Sequence, residues 1–168
     1  ASTGGGIDDY VIERSTDGVT FTTVVDGVNA NTTYVIPGLT PGTSYTVRVR
    51  AKNSAGESAN SNTFTESPGP VVSSIVTGLS LTVISSTQIN ASWTAPADNG
   101  GSNITDYIIE FSSDSGGSYT VFADGVSTAT TANITGLTAA TSYTIRIKAV
   151  NAVGNSDPSS TQVAATQS

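Results

Sequence analysis

The sequence predicts an all-β protein built as two tandem antiparallel β-sandwiches, the first incomplete at its N-terminal side. Three observations carry that expectation. Apolar and polar residues alternate with a period of two along most of the chain, and the runs are short and bounded by Gly, Asn, Asp and Pro clusters. The chain also repeats itself: residues 7–66 match 104–166, with Tyr10 falling on Tyr107, Asp26 on Asp124, Leu39 on Leu137 and Tyr45 on Tyr143. The spacing is 97 residues early and 98 later, because one residue is inserted after Asp114 in a Gly-rich turn.

The strands are taken in order along the second copy. Leu79 to Ile84, Gln88 to Trp93, Tyr107 to Phe111, Tyr119 to Ala123, Thr130 to Ile134, Tyr143 to Ala149 and Thr161 to Ala165 read as strands, with no helical periodicity between them. Seven short strands are what two packed antiparallel layers require. In Tyr143-Thr144-Ile145-Arg146-Ile147-Lys148-Ala149 every second residue is apolar, which places one face in a core, and Tyr45-Thr46-Val47-Arg48-Val49-Arg50-Ala51 repeats the pattern. Turns fall at Asp17-Gly18, Asp26-Gly27, Gly116-Gly117 and Asp124-Gly125, where a residue tolerant of positive φ is needed. Ser67-Pro68-Gly69-Pro70 interrupts strand pairing, since proline removes a donor and fixes φ. The expected organisation is a sandwich lacking two strands over 1–66, a linker over 67–74 and a complete sandwich over 75–168.

Residues Ile75 to Ala97, which include the only tryptophan, Trp93, have no counterpart ahead of the first copy. Without them the second sheet of copy one reduces to little more than Thr33 to Ile36. Its inward residues Tyr10, Ile12, Tyr45, Val47 and Val49 would face water, whereas burial of such side chains normally contributes ~1.5–3 kcal/mol each. Arg14 stands on the same face where copy two has Phe111, either snorkelling at the core edge or meeting a partner. Tyr10, Ile12, Arg14 and Val47 are therefore candidate contacts for strands supplied in cis by a longer polypeptide or in trans by another chain.

Composition narrows the function. With neither His nor Cys, the chain cannot assemble a Ser-His-Asp or Cys-His nucleophile, and the usual zinc and haem ligands are missing. A net charge of −7 opposes binding to nucleic acid or anionic membranes. No apolar run approaches the ~20 residues needed to span a bilayer, so membrane insertion is not expected. Asp8, Asp9, Glu13 and Glu110 remain as carboxylates for acid–base work. Glu13 and Glu110, however, occupy matching outward positions beside Arg48, Arg50, Arg146 and Lys148, where exposed cross-strand pairing worth ~0.2–1 kcal/mol accounts for them. Five of the six basic residues lie on these two strands, as solvated gatekeepers of a sheet face or as a stripe for an acidic partner. Asp98, Asn99 and Asp157 offer oxygen donors of the kind calcium takes, but without a calcium-loop spacing, and Asp and Asn are ordinary turn formers. No cofactor and no metal site is expected. Four Asn-X-Ser/Thr sequons, at Asn31, Asn90, Asn103 and Asn133, are no more than so Ser/Thr-rich a chain produces by chance.

Several spaced motifs together resemble the fibronectin type III domain. They are Trp93, Tyr107-Ile108-Ile109-Glu110-Phe111, Gly136-Leu137 followed six residues on by Tyr143, and Ala149-Val150-Asn151-Ala152-Val153-Gly154-Asn155-Ser156. Copy one carries Gly38-Leu39, Tyr45 and Ala51-Lys52-Asn53-Ser54-Ala55-Gly56-Glu57-Ser58 in the same places. The resemblance implies an immunoglobulin-like sandwich with structural roles for Trp93, Leu137, Tyr143, Leu39 and Tyr45, the Leu-to-Tyr spacing being that of a tyrosine corner. It also implies candidate binding loops around Asp98, Asn99, Asn151, Asn155 and Asp157. The style resembles bacterial or phage members of the family. The expected function is a non-enzymatic structural or adhesive module of an extracellular, cell-surface or virion protein, contacting protein partners or neighbouring domains and subunits of a longer array. Accessory spacer domains of a secreted carbohydrate-degrading enzyme, meeting carbohydrate only through flanking domains, and a receptor-type recognition module are the alternatives.

Overall fold

The computed structural model describes residues 5–168, and among them every regular element is a β-strand. The chain forms two compact units, Ala1–Gly69 and Pro70–Ser168.

The second unit is a complete sandwich. Strands β6 (Thr77–Val83), β7 (Ile89–Thr94) and β10 (Thr131–Ile134) form one sheet in the order β10-β7-β6; β8 (Asp106–Ser112), β9 (Thr120–Val121), β11 (Ser142–Val150) and β12 (Gln162–Ala165) form the other in the order β12-β11-β8-β9. All pairs are antiparallel. Alternation delivers Tyr107 and Ile109 from β8, Tyr143, Ile145, Ile147 and Ala149 from β11, and Ile89, Ala91 and Trp93 from β7 to one buried core. Trp93 meets Tyr107 edge to face at 5.3 Å between ring centres, and Phe111 meets Tyr143 at 5.8 Å. The strand expected over Tyr119 to Ala123 is only two residues long, because after Phe122 N–H donates to Ile109 O the chain turns, with Asp124 N–H donating to Phe122 O.

Among its described residues the first unit contains one sheet. Its strands β1 (Asp9–Ser15), β2 (Thr22–Thr23), β3 (Tyr45–Asn53) and β4 (Gly56–Glu57) run in the order β2-β1-β3-β4, with β5 (Phe64–Glu66) also paired to β3. The register of β1 on β3 pairs Tyr10 with Ala51, Ile12 with Val49 and Arg14 with Val47, matching Tyr107 with Ala149, Ile109 with Ile147 and Phe111 with Ile145 in the second unit. Burial differs sharply. Ile109, Ile145 and Ile147 are fully buried, whereas Ile12, Val47 and Val49 are only partly so.

Thr33 to Ile36 form no strand, although their counterparts Thr131–Ile134 do. The reason is the ladder: β10 is held only by β7, and among the described residues of unit 1 no strand occupies that place. The segment expected as a linker, 67–74, carries backbone hydrogen bonds to both units. Val71 N–H donates to Gly100 O and Ser74 N–H to Asp98 O, so residues 71–74 belong to the second unit's fold, while Gly42 N–H ties Pro68 O to the first.

Candidate functional site

The end loops of the second unit are built around Asn151. Its amide nitrogen donates to Val71 O at 2.8 Å and to Asn99 O at 2.9 Å, and its amide oxygen accepts from Val153 N–H and Gly154 N–H. Asn151 is buried and fully engaged, so it ties three chain segments together and has no polar group left for a partner. Asp98 Oδ1 accepts from Gly100 N–H and Asn99 Oδ1 from Gly101 N–H, both as local turn bonds, while Ser74 Oγ bonds both the N–H and the C=O of Asp98. Asn155 is exposed and bridges Val150; Asp157 is exposed, and its carbonyl accepts from the Ser156 hydroxyl. Among the described residues no group of three or more His, Cys, Asp or Glu converges as metal ligands would.

The carboxylates expected as exposed pairs are instead covered. Glu110 is 9% exposed, its two oxygens taken by Arg146 Nε and by Lys148 Nζ at 2.9 Å. Glu13 is 8% exposed beneath Arg48 Nε at 2.7 Å and Arg50 at 3.1 Å, and Arg50 reaches on to Glu57. An aromatic ring completes each cluster: the Arg146 guanidinium lies 3.6 Å from the centre of Tyr119, and that of Arg48 lies 3.8 Å from Phe21. Burial pushes the Glu110 carboxyl up, but hydrogen bonds and charge from Lys148 and Arg146 outweigh it and hold it below its usual value. A carboxylate kept ionised and capped by two cations has no proton to give at neutral pH. The clusters fasten neighbouring strands rather than perform acid–base chemistry.

The residues with expected structural roles are placed as follows. Tyr143 Oη accepts from Thr138 N–H at 2.9 Å and Tyr45 Oη from Thr40 N–H at 3.1 Å, each phenol pinning the loop that precedes its own strand. Hydrogen bonding from Thr40 lowers the Tyr45 phenol pKa. Leu137 and Trp93 are in the core, while Leu39 borders an apolar recess beside Phe64 and Pro68. Sequence reasoning missed the serines after β11 and β3. Ser156 Oγ accepts from Ala149 N–H and Ser159 Oγ from Ile147 N–H; Ser58 and Ser61 do the same for Ala51 and Val49. The repeated Ser-X-X-Ser spacing at the same place in both copies was the available signal.

Tyr10, Ile12, Val47 and Val49 line an open groove of about 300 Å³ in the first unit, bounded on its other side by residues 31–34 and Ile36. Arg14 is not among the residues lining this groove; its guanidinium lies 5.8 Å from the Tyr45 ring centre and its Nη1 donates to Pro37 O at 3.4 Å. It thus stands in for the Phe111–Tyr143 contact of the second unit within its own unit. No helix is long and apolar enough to cross a membrane among the described residues.

These features define a β-sandwich module. The fibronectin type III domain family matches residues 1–67 and 74–166, and the chain belongs to that family. Relatives include Chitinase A1 of Niallia circulans, 41% identical over 163 residues, and Endoglucanase B of Cellulomonas fimi, 39% identical over 140 residues. The matches cover 89% and 80% of this chain but only 22% and 13% of those proteins, so the chain spans under a quarter of the relatives' length. Among solved structures, titin kinase with its flanking domains superposes over 56% of this chain and 17% of that one, with TM-score 0.52 and 31% identity. A crystal structure of titin domains covers 95% of this chain and 55% of that one with TM-score 0.58 at 24% identity, a likeness of fold alone.

Proposed function

We propose that residues 1–168 serve as accessory spacer domains of an extracellular polysaccharide-degrading enzyme, holding a catalytic domain at a distance from a carbohydrate-binding one. The observation that carries this reading is the relatives' pattern. Both sandwiches together match part of a chitinase at 41% identity over 163 residues, and the match to an endoglucanase is 39%, each occupying a minor share of a longer enzyme. The chemistry agrees: strand-linking ion pairs and fully engaged loop amides suit a stiff connector more than a ligand site. A polysaccharide such as chitin is too large to enter a cell, which supports an extracellular setting for such an enzyme. The scaffold part of the expected structural role is retained; adhesive and virion roles draw no support from these relatives.

The test compares the polypeptide that carries this segment with a version from which 1–168 is excised. Hydrolysis of a soluble oligosaccharide is expected to stay within twofold, while hydrolysis of the insoluble polymer falls several-fold. Equal rates on the insoluble polymer, or no hydrolysis of either substrate by the intact polypeptide, would overturn the reading.

A further inference from the structure

The loop between β7 and β8 carries a reactive pair of residues. Asn99 is exposed and is followed by Gly100, and no other asparagine of the chain precedes a glycine. A glycine has no side chain to shield its amide nitrogen, so that nitrogen can close on the side-chain carbonyl carbon of the residue before it. Two hydrogen bonds act on that ring closure. Gly100 N–H, on the nucleophile, donates to Asp98 Oδ1 at 2.8 Å, and Asn99 Oδ1, on the carbon to be attacked, accepts from Gly101 N–H at 2.9 Å. The first places a base on the proton that must leave, and the second places a donor where negative charge develops.

We propose that Asn99 and Gly100 form a self-modification site, at which the loop itself promotes conversion of Asn99 to a mixture of aspartate and isoaspartate. The Gly100 nitrogen bonds to Asn99 Cγ as its proton passes to the Asp98 carboxylate, and the oxyanion on Oδ1 is held by Gly101 N–H. The bond from Cγ to Nδ2 then breaks, and ammonia leaves with the proton that Asp98 returns through water, so a five-membered imide remains. Water opens the imide at either carbonyl. Opening at the backbone carbonyl gives isoaspartate, which adds one methylene to the main chain. The loop has no slack for it, since even a Cβ added at Gly100 would lie 2.2 Å from Val71 O. The carbonyls of Asp98, Asn99 and Gly100 accept from Ser74 N–H, the Asn151 amide and Val71 N–H, so a longer backbone there detaches residues 71–74 from the loop. Isoaspartate formation is thus a clock that loosens this end of the second unit, and none of it rests on the spacer reading.

The test incubates the full chain in mildly alkaline buffer and follows each asparagine by peptide mass spectrometry, with chromatography separating aspartate from isoaspartate. Asn99 is expected to convert ahead of every other asparagine of the folded chain. Asp98→Asn keeps an oxygen for Gly100 N–H but takes up no proton, and is expected to slow the conversion at least about tenfold. An unchanged urea midpoint for that variant separates lost base chemistry from lost structure. In the isoaspartate form the Val71 and Ser74 amides are expected to exchange hydrogen at least about tenfold faster, while Asn99→Asp, whose main chain has its ordinary length, leaves them protected. Asn99 that stays intact in the folded chain while converting in urea would overturn the proposal, because the fold would then shield the site. So would an unchanged rate in Asp98→Asn, or an isoaspartate form in which both amides stay protected.

Discussion

Gly100 is the position where a single methyl group should do most harm. Its φ is +71°, and a Cβ there would lie 2.2 Å from Val71 O and 2.7 Å from Val72 O. The left-handed conformation alone costs an alanine ~1–2 kcal/mol. Relieving the contact means moving residues 71–72 off the loop, which breaks the bond from Val71 N–H to Gly100 O and the one from the Asn151 amide to Val71 O. At about 1 kcal/mol for each bond, Gly100→Ala should destabilise the second unit by ~3–4 kcal/mol in all. For a domain of this size that lowers the melting temperature by roughly 12–30 °C. Gly125→Ala separates the two causes, because Gly125 has φ +81° but nothing within 4 Å of an added Cβ, so only the ~1–2 kcal/mol of strain remains. Thermal and urea unfolding followed by Trp93 fluorescence is the assay, since the only tryptophan reports the second unit's core. If Gly100→Ala costs no more than Gly125→Ala, the steric argument is refuted.

Tyr143→Phe leaves Thr138 N–H without its acceptor and should cost ~1–2 kcal/mol by urea denaturation, with little change in fold. Ile109→Val, in a side chain with no exposure, should cost ~0.5–1.5 kcal/mol, while Ile12→Val at the twin position should stay within about 0.5 kcal/mol by circular dichroism; equal losses would contradict an open face on the first unit. Acid should weaken the second unit in a defined window. Because the folded Glu110 carboxyl titrates below its usual value of 4.5, its contribution is complete above that value and is lost as pH falls through the lower folded value. Asp114, which accepts from the Ser112 hydroxyl and from Ser118 N–H, is shifted further in the same direction and adds to the loss at lower pH still. Urea midpoints measured from pH 7 down to 2 check this, and Glu110→Gln should flatten the upper part of the curve.

Much of the fold was legible because period-two alternation is a local property. The apolar residues of Tyr143 to Ala149 had to share a face whatever they packed against, and the Leu-to-Tyr spacing placed the phenol of Tyr143 within reach of its own loop. The candidate loops were less legible. That Asn151 spends its whole amide on Val71, Asn99, Val153 and Gly154 follows from segments up to 80 residues apart meeting at one point, which no spacing announces. The burial of Glu13 and Glu110 is not legible for a similar reason: alternation puts them outward, but two cations from the neighbouring strand close on each carboxylate, and the rings of Phe21 and Tyr119, far off in sequence, pack on Arg48 and Arg146.

The amino-acid sequence by itself determined the repeat, the strand pattern, the turns and the exclusion of His- or Cys-based catalysis, since each depends on residue identity and near-neighbour spacing. Only the tertiary structure decided that Thr33 to Ile36 are not a strand. Their side chains suit one as well as those of Thr131 to Ile134 do, but a β-strand is stabilised by hydrogen bonds to a neighbour, and whether a neighbour is present is not a property of the four residues themselves.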